Sequence, residues 1–315
     1  MSQTGALDPK TAQDMRFAMR LSLAFGFLML GGKTAAYLIT GSTAILSDAS
    51  ESVVHLVAVI FAWFSLWLSL KPANQRYLYG FERITFFSAG FEGAMIVLAA
   101  LFIVGVTVRK WLAGLELTNV GAGTLFTLLT SVLNAGLGWY LVRTGKRTQS
   151  LILEADGKHV LTDSWTSAGV VSGLVLVMWT GWKPWDAICA LAVALNILWS
   201  GGSLIWRSAT GLLDTADPRT GKLLRQNLDM LCGELGMQYH GVRFRSTGHR
   251  LMVEVHLLFH GSQTVAEAHR LATLLEERLP ETLGQPAEVT THLEAQDDHE
   301  AVHRAAHYTG KPGER

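Results

Sequence analysis

The sequence predicts an α-helical membrane protein, six transmembrane helices followed by a C-terminal α+β domain in the order α-β-β-α-β. Three observations predict it. Apolar residues make up 49% and charged residues 17% of the 315, whereas a soluble domain carries about 25% charged. The long apolar runs fall almost entirely before residue 212. Beyond that point the pattern turns to short amphipathic segments with their own caps and alternation. Mean hydropathy of +0.26 also excludes a disordered chain, which needs low hydrophobicity and high charge.

Six runs reach the length of about 20 residues that a helix needs to cross a hydrocarbon core. They cover 17–40, 43–70, 83–108, 119–142, 157–181 and 185–206. The first is too long for a signal peptide and lacks a small-residue cleavage site, so it is expected to remain as a span. Lys10, Arg16, Arg20, Lys71, Arg76, Arg83, Arg143, Lys146, Arg147 and Arg207 flank the spans on one side. The other side holds only Arg109, Lys110 and Lys183. By the positive-inside rule this bias puts both termini in the cytoplasm.

The partition expected is 1–212 in the membrane, 213–295 as a cytoplasmic domain and 296–315 as a polar, mobile tail with His299, His303 and His307. Within the domain, Asp217-Pro218 reads as an N-cap followed by proline at the first helical position, opening a helix to about Leu235. Val242 and Phe244 suggest a short strand, with Gly248 in the turn that follows. Leu251, Val253, Val255, Leu257 and Phe259 alternate with polar residues, the mark of a half-buried strand. Thr264 and Glu267 form a capping box ahead of an apolar stripe, and Val289, Thr291 and Leu293 alternate in a last strand. This order suggests a small open-faced sandwich of the ferredoxin-like kind. The 26 basic residues balance the 26 acidic ones, so the basic excess of a nucleic-acid binder is missing. Two cysteines, Cys189 and Cys232, suffice neither for a disulfide framework nor for a cysteine zinc site.

The functional signal lies in ionisable groups inside the spans, each of which costs about 2.5–3.5 kcal/mol at mid-bilayer on insertion scales. Span two carries Glu51 and His55, and span five carries His159 and Asp163. Each pair is spaced i, i+4, which stacks the two side chains on one helix face. One such pair could be a buried packing contact. Two matching pairs on two spans make a four-ligand N/O set for a divalent cation, with a tetrahedral arrangement that suits zinc. Lys33 and Asp48 read as a structural pair, and Glu92 as a partner of a neighbouring span or a path-lining group. Gly31-Gly32 and Gly201-Gly202 read as sites of close helix packing, and Trp182 and Trp185 as interface anchors. In the soluble domain His240, His256, His269, His292 and Glu294 could cluster at a sheet edge or dimer seam as a second metal site.

Together these residues resemble the cation diffusion facilitator family of divalent-metal/proton antiporters, iron/zinc branch. The resemblance runs over residues 15–295, from Thr40-Gly41-Ser42 through Ser47-Asp48-Ala49 to Gly157-Lys158-His159 and Asp163-Ser164-Trp165-Thr166-Ser167. It implies a homodimer in the lipid bilayer of the inner membrane, with a transport site between spans two and five. It also implies a cytoplasmic domain whose bound metal draws two copies together, Zn2+ being both cargo and regulator. Carried over by position, the transport ligands are Glu51, His55, His159 and Asp163. The regulatory ligands are His240, His256, His269, His292 and Glu294. Relatives usually place two aspartates where Glu51 and His55 stand, and the added imidazole favours zinc over manganese. Relatives' accessory loop ligands are replaced by Asn74, Tyr77 and Phe81, so that site is expected to be missing.

Metal and protons compete for such groups, because binding needs neutral imidazole and ionised carboxylate. Imidazole titrates near about pH 6.5, so a modest inward proton gradient can shift occupancy. The expectation is export of zinc against protons, with iron, cobalt, nickel or cadmium as alternative cargo. Two other classes stay open: an intramembrane metalloenzyme, against which a closed four-ligand set argues, and a membrane-anchored metal sensor. The expectation is a transporter rather than an enzyme.

Overall fold

The computed structural model of the chain describes residues 8–40, 43–113, 123–182 and 184–296. It divides into two compact units, one from Pro9 to Leu212 and one that includes the chain from Leu213 onward.

The first unit holds six long helices: α1 (Pro9–Thr40), α2 (Thr43–Ser69), α3 (Ile84–Ala113), α4 (Gly123–Arg147), α5 (Leu151–Thr180) and α6 (Pro184–Leu212). Their polarity is inside out relative to a soluble bundle. Phe27, Leu98, Phe102, Trp179, Leu195 and Trp199 stand exposed, while Lys33, Ser65, Ser88, Glu92, Glu154 and Asp156 are buried. Hydrocarbon around the bundle and polar groups at its centre account for that pattern. Among the described residues three stretches have the length and apolarity of membrane spans, Pro9–Ala35, Ile84–Arg109 and Ala187–Leu212. The corresponding stretch of α2, His55–Ser69, is shorter. In α5, Glu154, Asp156, Lys158, His159 and Asp163 dilute the hydropathy of the N-terminal half.

Those same residues explain why α5 starts six residues before the apolar run that predicts it. Ser150 caps the helix, its hydroxyl accepting from Leu153 N at 3.4 Å. Glu154 then takes an N–H bond of 2.6 Å from Arg207 and an ion pair of 3.1 Å from Lys158. The last turn of α5 ends on Gly181 in the left-handed region, φ 72°.

Close packing falls partly where the glycines suggest it. A Cβ on Gly201 of α6 would stand 2.9 Å from the Gly93 carbonyl of α3. Gly202, Gly31 and Gly32 have no such neighbour within 4 Å among the described residues, which corrects the reading of those three. The close approach of α4 to α5 uses Gly138, Gly145 and Gly157 instead: a Cβ on Gly145 would lie 2.6 Å from Glu154 N and one on Gly157 2.7 Å from Val142 N. These contacts fix the rotation of α3 and α5 about their axes, and with it the faces that carry Glu92 and His159.

The second unit runs α7 (Pro218–Leu235), β1 (Gln238–Ser246), β2 (Leu251–Phe259), α8 (Val265–Leu283) and β3 (Ala287–Ala295). Asp217 caps α7 through Thr220 N, and the Thr264/Glu267 capping box is formed in full. The sheet order is β1-β2-β3, with β1 antiparallel and β3 parallel to β2. Leu224, Leu228 and Leu231 of α7, Leu275 and Leu279 of α8, and Val253, Val255 and Leu257 of β2 share one core. Both helices therefore cover the same face of the sheet. The opposite face carries the polar half of the alternation. β1 starts earlier than its apolar residues suggest, so His240 lies within the strand rather than before it. A register shift between His240 and Arg243 breaks the alternation there, with Gly241 at φ 61°.

His249, in the β1–β2 turn, is 3% exposed, and burial pushes its imidazole down to about 4. The unfolded chain therefore binds a proton below about pH 6.5 that the folded domain refuses. Stability is complete above that pH and falls as pH drops toward 4, by about 2 kcal/mol at pH 5. Hydrogen exchange of the β1–β2 amides in the intact protein should accelerate accordingly between pH 7 and pH 5, after correction for the intrinsic rate. His249→Phe should flatten that response.

Candidate metal centres

In the helical unit, α2 and α5 present their imidazoles to one another. The ring centroids of His55 and His159 are 4.8 Å apart and the planes are inclined by 33°. Asp163 stands one turn along α5 from His159, and all three line one cavity of about 60 Å³ with Thr162, Met95, Ile96 and Ala99. A buried water needs only about 10–15 Å³ of such volume, so the cavity has room for a cation with part of its hydration. Its donors suit that occupant. His55 Nδ1 is buried with no hydrogen-bond partner among the described residues. A lone pair left unused inside an apolar bundle is costly, and a cation would use it. Glu51 lies on α2 one turn before His55. Its side chain, like that of Asp48, lies outside the described residues.

Glu92 is the acidic residue whose place the sequence alone leaves open. It is fully buried on α3, and its Oε2 lies 3.2 Å from His159 Nδ1. The contact is close but not a straight hydrogen bond, and neither carboxylate oxygen has another partner among the described residues. Asp156, three residues before His159, is also fully buried. Lys33 is buried on α1. Spacing alone gives no sign that α3 reaches this site, because Glu92 belongs to no i, i+4 pair. In the loop between α2 and α3, the Asn74 side chain accepts from Arg76 N and Tyr77 N and shapes the turn. The Tyr77 and Phe81 rings meet at 4.6 Å, tilted by 45°.

The soluble unit holds a second group on the open face of its sheet. The register sets His240 opposite His256 and His256 opposite His292, so three strands bring their histidines into one row. Glu294, two residues beyond His292 on the same face, closes it. The imidazole N–H groups of His240 and His256 donate to its two carboxylate oxygens at 2.8 and 2.7 Å. The ligand atoms of His240, His256 and Glu294 all lie within 4.8 Å of one another. His292 borders the group, its ring 5.0 Å from that of His256 and its Nε2 3.7 Å from Glu294. His269 is exposed on α8 and is not brought into the group. His299, His303 and His307 lie outside the described residues. Gly241 makes room for the row, since a Cβ there would come 3.3 Å from the His256 ring.

Comparison with known proteins assigns both units. Residues 19–213 match the cation efflux transmembrane domain, and residues 234–296 match the cytoplasmic domain of cation efflux proteins. An uncharacterized transporter of Synechocystis is 35% identical over 88% of this chain and 89% of its own length. A probable cation efflux system protein of Mycobacterium tuberculosis is 29% identical over 78% of this chain and 73% of its own. The cation-efflux pump FieF of Escherichia coli is 26% identical over 81% of this chain and 85% of its own.

Proposed function

The chain belongs to the cation diffusion facilitator family of cation efflux transporters, and we propose that it exports zinc from the cytoplasm in exchange for protons. The observation that carries this reading is the convergence of His55 and His159, from two different helices, on one cavity with Asp163. Glu51, one turn from His55, would complete a two-imidazole, two-carboxylate set. Such a set holds zinc tetrahedrally and is less anionic than an all-carboxylate site, which disfavours manganese. Iron, cobalt, nickel and cadmium fit the same donors and are the alternative cargo. Occupation requires the imidazoles to be neutral and the carboxylates ionised, so each metal that enters displaces protons and each proton that returns weakens the metal. Alternating exposure of the site to the two sides then converts an inward proton gradient into outward metal movement. Residues 1–212 would form the transport domain, both termini would face the cytoplasm of a cell with this protein in its inner membrane, and residues 213–295 would be the regulatory domain of a homodimer. The His240/His256/Glu294 group would take the regulatory metal there, with His292 and His269 as further candidate ligands, and draw the two copies together.

The test is flux into sealed proteoliposomes under an imposed pH gradient, with zinc, iron, cobalt, cadmium and manganese compared. Zinc should move fastest and manganese least, with protons moving the other way. Flux that ignores the pH gradient would remove the antiport. Absence of flux for every metal, with metal binding intact, would turn the reading to a sensor.

A further inference from the structure

The four-ligand reading gives no task to the buried ionisable groups around it, and of these Glu92 is the one within 3.2 Å of a proposed ligand's ring nitrogen. Glu92 has none of its surface exposed and sits on α3, a helix that supplies no ligand to the proposed set. Three further α3 residues, Met95, Ile96 and Ala99, wall the cavity. Gly93, beside Glu92, is locked against α6, a Cβ on it falling 2.9 Å from the Gly201 carbonyl. That packing holds the Glu92 side chain against His159 Nδ1 at 3.2 Å. A carboxylate in the interior of a membrane bundle is expensive unless something there uses it.

We propose that Glu92 is a positioning residue for the transport site, holding His159 through Nδ1 so that Nε2 is the nitrogen offered to the divalent cation. A neutral imidazole carries one N–H, and a carboxylate 3.2 Å from Nδ1 fixes it there once the ring turns to straighten the contact, which leaves the Nε2 lone pair free. The same contact orients the ring and raises its basicity as a ligand. It also ties the site to a third helix, so that α3 takes part in holding the cargo without touching it. This role rests on the reading of His159 as a cation ligand.

The experiment titrates Co2+ into purified full-length protein carrying Glu294→Ala, so that the d–d bands report the intramembrane site, with flux KM and Vmax measured in parallel. Glu92→Leu should weaken Co2+ binding about 10- to 100-fold and raise KM with little change in Vmax. Glu92→Gln, which keeps an acceptor for the Nδ1–H, should stay within about threefold of the parent, as a neutral acceptor is roughly half as strong. The band shape should be the same throughout. Parental affinity in Glu92→Leu would overturn the proposal. So would equal losses in the Leu and Gln variants, which would mean that charge or packing matters rather than the acceptor. Altered bands in Glu92→Gln would make Glu92 itself a ligand and equally overturn it. If the parent shows no Co2+ site that Asp163→Ala removes, the transport-site reading falls first and the Glu92 role with it.

Discussion

Zinc flux through the His55→Ala protein should drop to the leak of protein-free vesicles, and Asp163→Ala should do the same. Loss of a group that only orients a ligand typically costs about 10- to 100-fold in metal affinity, so loss of a ligand should exceed that range. His55 is the more decisive of the two. Its ring faces His159 at 4.8 Å, and its buried Nδ1 has no other use among the described residues. If the imidazole pair is what makes the site soft enough for zinc, His55→Asp should restore flux while moving preference toward harder cations such as manganese. Circular dichroism and size exclusion in detergent would show whether each variant keeps its helices and assembly. Flux that survives His55→Ala in a folded protein would move the α2 contribution to Glu51 and Asp48.

The features that are legible in the sequence are the local ones. Asp217-Pro218, the Thr264/Glu267 box and the Leu251–Phe259 alternation each depend on residues within one turn or one strand, and they appear as α7, α8 and β2. The i, i+4 pairs are local as well, since they need only a helix to define a common face. What spacing cannot express is which faces meet. The contact between Glu92 and His159 joins α3 to α5, and it follows from how Gly93 seats α3 on α6 and Gly157 seats α5 on α4. The same logic explains the misread glycines. Gly31 and Gly32 look like a packing motif, but small residues promote packing only where another helix passes, and none comes within 4 Å of either among the described residues.

Register is the other tertiary property hidden from the sequence. His240 and His256 are on neighbouring antiparallel strands, whereas His292 arrives by a parallel crossover through α8. A shift of one residue in that parallel pairing would send His292 and Glu294 to the core face. The burial of Val289 and Leu293 against α7, α8 and β2 prevents the slip. Hydrophobic packing on one face of the sheet therefore decides which polar residues meet on the other. The bulge at Gly241 adds a local adjustment that apolar alternation does not reveal, and it places His240 inside the row.

Glu294→Ala should weaken metal binding at the cytoplasmic domain by more than about a hundredfold, the largest effect expected there. It is the one carboxylate of the group, and both of its oxygens are already engaged by the imidazoles of His240 and His256 at 2.8 and 2.7 Å. Ligand atoms around a tetrahedral zinc with bonds near 2.0–2.1 Å are about 3.3 Å apart. The two contacts to Glu294 are thus shorter than such an edge by roughly half an ångström, while the group as a whole falls within 4.8 Å, so side-chain rotations would have to even out its edges around a metal. Binding must also move the N–H groups that now point at the carboxylate, by tautomer change or ring rotation, before those nitrogens can take a metal. Glu294→Gln keeps the shape and one accepting oxygen but not the charge, and it should bind nearly as weakly as the alanine variant. His292→Ala removes only a neighbour at 3.7 Å and should cost about tenfold if that ring swings in as a further ligand. Isothermal titration of zinc into the intact protein carrying Asp163→Ala isolates this group, because the intramembrane set is then disabled. Equal affinity in Glu294→Ala and its parent would remove the site. A large loss in His269→Ala would instead bring the exposed α8 histidine into the set, which requires a second copy or a rearrangement of the domain.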